Sequence, residues 1–179
     1  MFHKLYLLVL IVLFSNASHA FNNESKVMLH NYEIAGTTIY EGSNRNVFAW
    51  LGLPYAEPPI DDLRWKAPRT FDGFKNNYSA IDLPNRCTQV SNSYDKIIDD
   101  LEPGKIIGSE DCLYLNVYRP SNIDLEKEKL PVMFWIHGGG NTWGYSASGM
   151  TTPNEFLNKH NVILVSVNYR LGPFGWLAL

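Results

Sequence analysis

The sequence predicts an α/β fold in which antiparallel N-terminal strands lead into a parallel sheet. Two apolar, β-prone runs at residues 130–136 and 161–169 carry this prediction, because each is too apolar for an exposed strand. A short helical segment lies between them, so the region predicts a βαβ unit whose two strands run parallel. The 179 residues, 45% of them hydrophobic, are enough for one core. A net charge of −3, with both signs spread along the chain, does not indicate binding of nucleic acid.

Residues 1–20 have the layout of a secretory signal peptide. A basic start is followed by ten apolar residues and a small-residue cleavage site, which predicts cleavage between Ala20 and Phe21. A membrane anchor is the alternative, but ten apolar residues are too few to cross a bilayer core of about 30 Å. The sequence therefore predicts a secreted domain over residues 21–179 with no transmembrane segment.

The elements predicted before the βαβ unit are short strands and irregular loops. Residues 27–40 contain two β-prone pieces around Ala35 and Gly36, which is typical of a hairpin. Residues 46–53 predict a strand that is ended by Pro54. The segment that follows is rich in proline, glycine and aromatic residues without a helical period, so an ordered irregular loop is expected there.

The middle of the chain predicts one exposed segment and one strand. Residues 88–109 are polar and acidic and are expected to lie at the surface. Residues 113–118 predict a strand that is stopped by Pro120. Further along the chain, Thr152, Pro153 and Glu155 form a capping box, in which the threonine is the N-cap and proline takes the first helical position. We expect a short helix from there to about residue 159.

Three consecutive glycines at positions 138–140 follow directly after the first apolar run. Such a turn without Cβ atoms lets backbone N–H groups approach a ligand closely. Lipases and esterases use a loop of this kind, after a buried strand, to donate hydrogen bonds to a developing oxyanion. The alternative is a tight turn with no such role.

The sequence contains two cysteines, Cys87 and Cys112, which lie 25 residues apart. In a secreted protein an even pair predicts a disulfide, and two buried thiols are the alternative. Glycosylation acceptor tripeptides begin at Asn23 and Asn77, although such tripeptides also arise by chance.

Five blocks of sequence, in a matching order, resemble the type-B carboxylesterases, the family that includes the cholinesterases. Residues 110–120, EDCLYLNVYRP, are similar to the cysteine-centred signature of that family. The other blocks are LGLPYAEPP at 51–59, LRWKAP at 63–68, HGGG at 137–140 and VNYRLGPFG at 167–175. The resemblance implies that the chain is the N-terminal part of an α/β-hydrolase domain, and we expect that domain to be incomplete at Leu179.

The resemblance also implies the components of a catalytic site. Gly139 and Gly140 would supply two of the three N–H donors of an oxyanion hole, and the residue after the catalytic serine would supply the third. His137 is a candidate for the general base, because histidine commonly has that role. In this family, however, the catalytic histidine lies far downstream, so His137 is expected to brace the glycine loop.

Two structural pairs follow from the same resemblance. Cys87 and Cys112 match the first disulfide of the family. Arg64 and Glu110 match an internal ion pair that ties the proline-rich loop to the signature segment, whereas two separately solvated charges are the alternative. Such a pair contributes little net stability and mainly fixes geometry.

The implied activity is hydrolysis of a small-molecule carboxylic ester, with no cofactor and no metal ion. The reaction needs a serine in a G-x-S-x-G elbow, followed by an acidic residue and a histidine. No G-x-S-x-G occurs in this sequence. We therefore expect a fragment of a longer hydrolase that is inactive by itself. The alternative is a non-catalytic adhesion or binding protein of the same family.

Among the enzymes, the cholinesterase branch is disfavoured. Cholinesterases carry a tryptophan in the disulfide loop that holds choline through a cation–π contact. No tryptophan lies between Cys87 and Cys112. A general carboxylesterase, or a relative that processes hormones or lipids, fits the sequence better.

Overall fold

The computed structural model describes residues 25–39, 46–125, 127–147 and 153–177. The predicted signal peptide, its cleavage site, Asn23 and the predicted N-cap Thr152 lie outside these residues. The elements in chain order are β1 (Lys26–Leu29), β2 (Tyr32–Ala35), β3 (Thr37–Ile39), β4 (Val47–Pro54), β5 (Tyr78–Ser79), β6 (Gln89–Val90), α1 (Ser93–Asp99), β7 (Ile106–Ile107), β8 (Tyr114–Pro120), β9 (Val132–Ile136), α2 (Asn154–Lys159), β10 (Ile163–Val167) and α3 (Gly172–Trp176).

The central sheet has five strands in the order β3-β4-β8-β10-β9. Its first three neighbouring pairs are antiparallel, whereas β9 and β10 run parallel, with Phe134 opposite Val165. This arrangement confirms the predicted α/β class, with antiparallel N-terminal strands that lead into a parallel pair. Helix α2 connects β9 to β10, as the βαβ prediction requires.

Side chains alternate between the two faces of the central sheet and form a core on each. On one face, residues such as Phe48, Val117 and Val165 pack together with Ile34 from the small sheet β1-β2-β5. On the other face, Ala49 and its neighbours pack against Leu157, which is fully buried in helix α2. The short helix is therefore held by one apolar anchor, since six residues are too few for a helix to be stable alone.

The hairpin at the start of the chain is displaced from its predicted position. Its turn lies between β1 and β2, where His30 has a φ of +54°, and not at residues 35–36. Gly36 instead connects β2 to β3, which pairs with β4 in the central sheet. A Cβ at Gly36 would lie 2.3 Å from the carbonyl oxygen of Ala49. The glycine therefore marks a close approach of two strands and does not mark a hairpin turn.

Strand β9 differs from the expectation of a strand buried on both faces. It lies at the edge of the sheet, and all five of its residues are exposed. Among the described residues, β10 is the only strand that pairs with it. An apolar strand becomes buried only where neighbouring elements cover it, and no described element covers β9.

The segment between the two cysteines contains more structure than its composition predicts. Helix α1 begins after Asn92, which forms a capping box with Asp95, and β6 pairs with β7. Most of the segment is exposed, as expected, but the side chains of Gln89, Ser91 and Asp95 are buried. The disulfide Cys87–Cys112 closes the segment and confirms that pairing.

The second helix begins at Asn154, one residue after the predicted first helical position at Pro153. Glu155 lies in its first turn, and the helix ends at Lys159 as predicted. In the described part of the chain, no helix is long and apolar enough to cross a membrane.

Candidate functional site

The glycine loop, residues 138–140, turns sharply at the end of strand β9. The carbonyl oxygen of Gly139 accepts hydrogen bonds from the backbone N–H of Thr142, at 3.1 Å, and of Trp143, at 3.2 Å. Gly139 has a φ of +116°, and a Cβ there would lie 1.7 Å from the carbonyl oxygen of Trp143. Only glycine fits this position, because both the backbone conformation and the space exclude a side chain.

The N–H groups of Gly139 and Gly140 donate to no partner within the described residues. Gly140 has a φ of +58°, and a Cβ there would meet nothing within 4 Å. The loop therefore presents unbonded backbone donors in an open region, which is the property that an anion-binding turn needs.

A cavity of about 620 Å³ lies beside the glycine loop. Gly138 and Gly140 line it, whereas Gly139 does not. The wall is mostly apolar and comes from the sheet, with a polar rim. The other lining residues are Tyr55, Leu115, Phe134, Ile136, His137, Asn141, Val167, Asn168, Tyr169 and Trp176. A volume of this size accepts a small organic ligand.

His137 is buried beneath the loop. Its ring stacks on Tyr169 at a centroid distance of 4.3 Å, and Nδ1 lies 2.8 Å from the carbonyl oxygen of Gly138. The hydroxyl of Tyr169 donates to the carbonyl oxygen of His137 at 2.7 Å. Burial lowers the pKa of the imidazole below its usual 6.5, although the hydrogen bond to Gly138 acts in the opposite direction. The neutral ring therefore supports the loop from below.

Two buried asparagines organise the strands behind the loop, and the sequence interpretation did not identify them. The side-chain oxygen of Asn116, in β8, accepts from the backbone N–H of Gly52 at 3.0 Å. Asn168, just after β10, accepts from the backbone N–H of Ser146 at 2.9 Å and donates to the carbonyl oxygen of Asn85 at 2.9 Å. An asparagine inside an apolar strand could have indicated them, since buried amides are almost always hydrogen-bonded.

Arg64 and Glu110 form a bidentate ion pair, with contacts of 2.5 and 2.8 Å. The pair is partly exposed, and the hydrogen bond to Glu110 raises the pKa of the guanidinium. It lies beside the disulfide Cys87–Cys112, around a cavity of about 10 Å³. The ion pair and the disulfide therefore fix the same junction between the proline-rich loop and the signature segment.

The predicted glycosylation site Asn77 is exposed, and its side-chain oxygen accepts from the backbone N–H of Glu33 at 3.0 Å. Within the described ranges, no three His, Cys, Asp or Glu side chains cluster in a way that could hold a metal ion.

Comparison with known proteins identifies the family. The model of the carboxylesterase family matches residues 23–179. Lipase 2 of Geotrichum candidum is 39% identical over 154 residues, which cover 74% of this chain and 27% of the lipase. Venom carboxylesterase-6 of Apis mellifera is 34% identical over 98% of this chain and 30% of its own length. Acetylcholinesterase of Electrophorus electricus is 34% identical over 98% of this chain and 28% of its own length.

Solved structures give the same result for the fold. A thermophilic PNB esterase superimposes with a TM-score of 0.66 at 33% identity, over 82% of this chain and 28% of the esterase. A second PNB esterase structure gives a TM-score of 0.70 at 32% identity, over 88% and 30% of the two chains. The chain thus has part of the α/β-hydrolase fold and spans less than a third of the length of these relatives. It belongs to the carboxylesterase family.

Proposed function

We propose that the whole protein hydrolyses carboxylic esters by acyl transfer through a serine nucleophile. One observation carries the proposal: the glycine loop holds two unbonded backbone N–H groups beside a mostly apolar cavity. Family membership supports the same conclusion, since relatives of this chain include proteins named as a lipase, a carboxylesterase and an acetylcholinesterase.

In the proposed reaction, the serine hydroxyl attacks the ester carbonyl while a histidine takes its proton. The carbonyl oxygen becomes negative and receives hydrogen bonds from the N–H groups of Gly139 and Gly140, and from the residue after the serine. Each such donor contributes on the order of 3 kcal/mol to the stability of the transition state. The tetrahedral adduct then collapses, the bond to the alcohol breaks, and the histidine gives its proton to the departing alcohol. Water attacks the remaining acyl-enzyme through the same steps, which releases the carboxylic acid and restores the serine.

The proposed reaction needs a serine in a G-x-S-x-G elbow, and Met1–Leu179 contains no such motif. We therefore expect the 179-residue chain to be inactive by itself. The cavity favours an ester with an apolar acyl or alcohol group, since Phe134, Ile136 and Leu115 form much of its wall.

We also propose that the protein is secreted, with cleavage after Ala20 and glycans on Asn23 and Asn77. The disulfide supports an oxidising compartment, and the exposure of Asn77 supports its modification. Expression in a eukaryotic secretory host should release protein that begins at Phe21 and loses mass on treatment with an N-glycosidase. Protein retained in the cytosol with an intact N-terminus would contradict this part of the proposal.

The activity is tested with the whole protein, a short acyl ester such as 4-nitrophenyl butyrate, and a fluorophosphonate that labels activated serines. We expect turnover together with covalent labelling at the serine of a G-x-S-x-G elbow. Its Ser→Ala variant is the control and should lose both signals while it remains folded. A folded protein that shows neither turnover nor labelling would instead favour the adhesion or binding alternative.

A further inference from the structure

The side chain of Gln89 connects the disulfide loop, residues 87–112, to the segment that follows the glycines. Its oxygen accepts from the backbone N–H of Gly144 at 2.9 Å, and its nitrogen donates to the carbonyl oxygen of the same residue at 2.9 Å. The nitrogen also donates to the carbonyl oxygen of Cys87 at 2.9 Å. One buried amide therefore satisfies both backbone polar groups of Gly144, in a side chain that is only 5% exposed.

Gly144 passes this constraint to the glycine loop through direct contact. It has a φ of +130°, and a Cβ there would lie 2.1 Å from Nδ1 of His137 and 2.6 Å from the carbonyl oxygen of Gly138. Trp143, the residue before Gly144, also contacts the glycine loop. Its carbonyl oxygen would lie 1.7 Å from a Cβ at Gly139, so the two backbones are packed closely there. A shift of this segment must therefore move His137 and the glycines, since no space separates them.

The backbone of Gln89 is itself anchored in three ways. The disulfide fixes Cys87 two residues earlier, and Gln89 pairs with Ile107 in the small sheet of β6 and β7. The N–H of Thr88 also donates to the carbonyl oxygen of Ser109 at 3.1 Å. The side chain thus extends from a rigid base, as a group that holds catalytic donors must.

Two ring contacts also join the segment after the glycines to the disulfide loop and to Arg86, the residue just before that loop. The ring of Tyr94 stacks on Trp143 at 5.6 Å, and the guanidinium of Arg86 lies 4.7 Å from the ring of Tyr145. Neither contact bonds the backbone of the segment after the glycines. Gln89 does so at two points, and hydrogen bonds of fixed direction restrict the segment more than ring packing does.

We propose that Gln89 is a positioning residue, which holds the glycine loop in the geometry that oxyanion stabilisation needs. The inference rests on the proposed ester hydrolysis and adds a residue that touches neither the substrate nor the reacting atoms. Donors that are aligned before the reaction stabilise the transition state most, and a misplacement of about 1 Å can lower the rate about 100-fold.

The test compares Gln89→Met with Ser91→Ala in the whole protein. Met has a similar length but cannot hydrogen-bond Gly144. Ser91 is the matched control, because it is equally buried in the same disulfide loop and bonds only within it, to Glu102 and Lys105. For Gln89→Met we expect kcat to fall about 10- to 100-fold while KM changes less than about threefold. For Ser91→Ala we expect kcat within about twofold of the parent, even where its melting temperature falls equally.

Two further readouts separate positioning from general damage. A trifluoromethyl ketone, whose adduct carries the oxyanion, should lose affinity for Gln89→Met by the same factor as kcat/KM. Amide hydrogen exchange of residues 137–147 should accelerate in Gln89→Met and not in Ser91→Ala. The exchange measurement detects the constraint on the loop without any turnover.

The inference would be overturned if Gln89→Met kept the kcat of the unsubstituted protein, or if Ser91→Ala lost as much kcat as Gln89→Met. Either result would leave the proposed ester hydrolysis intact. Absence of turnover and of fluorophosphonate labelling in the parent would overturn the proposed function, and with it the catalytic role of Gln89. In that case faster exchange in Gln89→Met would still show that the side chain restrains the loop.

Discussion

At the scale of single residues, the three loop glycines are not equivalent. Gly139 is required by space and by backbone conformation, whereas Gly140 is required by conformation alone. We predict that Gly139→Ala destabilises the whole protein by about 3 kcal/mol, because the loop must move away from Trp143. Gly140→Ala should cost about 1–2 kcal/mol, the strain of a left-handed alanine. Urea unfolding of the two variants checks the order, and equal losses would contradict it.

His137 gives a prediction about pH. Its pKa is lowered in the folded state by burial, so between about pH 6.5 and the lower folded pKa the unfolded chain binds a proton that the folded chain does not. His137 therefore does not reduce the free energy of unfolding above about pH 6.5, and it reduces that free energy as the pH falls through this window. The slope is at most about 1.4 kcal/mol per pH unit for one group.

The variant His137→Gln removes the titrating group. Its free energy of unfolding should therefore depend less on pH below about 6.5, although we expect the variant to be less stable at every pH. Urea unfolding of both proteins from pH 7.5 to 5.5 provides the measurement. Parallel profiles would show that His137 does not contribute to the acid sensitivity.

At the scale of elements, strand β4 contains a bulge at which the backbone N–H groups of Leu51 and Gly52 find partners other than the backbone of β8. Its register against β8 shifts between Trp50 and Leu53. The N–H of Leu51 donates to the carbonyl oxygen of Ala80, the N–H of Gly52 to Asn116, and the hydroxyl of Tyr78 to the carbonyl oxygen of Gly52. The bulge is therefore a specified feature of the strand.

Asn116→Leu preserves volume in β8 and removes the acceptor for Gly52. We predict a loss of about 2–3 kcal/mol, because a buried backbone N–H loses its partner. Ser166→Ala is the control, since it removes a hydroxyl that accepts from Asn116 but keeps the acceptor for Gly52, and it should cost about 1 kcal/mol. Chemical denaturation that ranks the two variants in the opposite order would refute this account of the bulge.

The disulfide loop gives a second prediction at this scale. The bond closes a separation of 25 residues, and the loss of chain entropy on closure corresponds to about 3.5 kcal/mol of stability. The double variant Cys87→Ala, Cys112→Ala should lose that amount in guanidinium unfolding. The reduced parent is the control and should behave similarly, and an unchanged midpoint in both would show that packing alone holds the loop.

At the scale of the whole molecule, the described surface includes a continuous apolar strand. All five residues of β9 are exposed, and Phe134 and Ile136 also line the cavity. Edge strands and apolar patches of this kind promote association. We predict that the 179-residue chain, expressed alone, self-associates, binds a hydrophobic dye and lacks a cooperative melting transition.

The measurements are size-exclusion chromatography, dye fluorescence and calorimetry. The variant Phe134→Ser, Ile136→Ser should reduce dye binding and association, whereas Ile97→Ser, on exposed helix α1, should change them less. A monomeric chain with a sharp calorimetric transition would disprove the prediction.

Much of the fold could be predicted from local pattern. The apolar runs that became β9 and β10, the end of α2 at Lys159 and the Cys87–Cys112 pairing all depend on residues close in sequence or on a count of two cysteines. The hairpin turn was misplaced because Gly36 has the composition of a turn, although its real role is a close approach to Ala49, a contact between distant segments.

The sequence by itself determined the α/β class, the family and the position of the glycine loop, because periodicity and short motifs act over a few residues. Tertiary structure decided which glycine has no space for a side chain, and that β9 is exposed at an edge. It also decided that the side chain of Gln89 forms hydrogen bonds with both the N–H and the carbonyl oxygen of Gly144, which lies 55 positions later in the chain. The physical reason is that steric exclusion, burial and hydrogen bonding depend on neighbours that only the folded chain brings together.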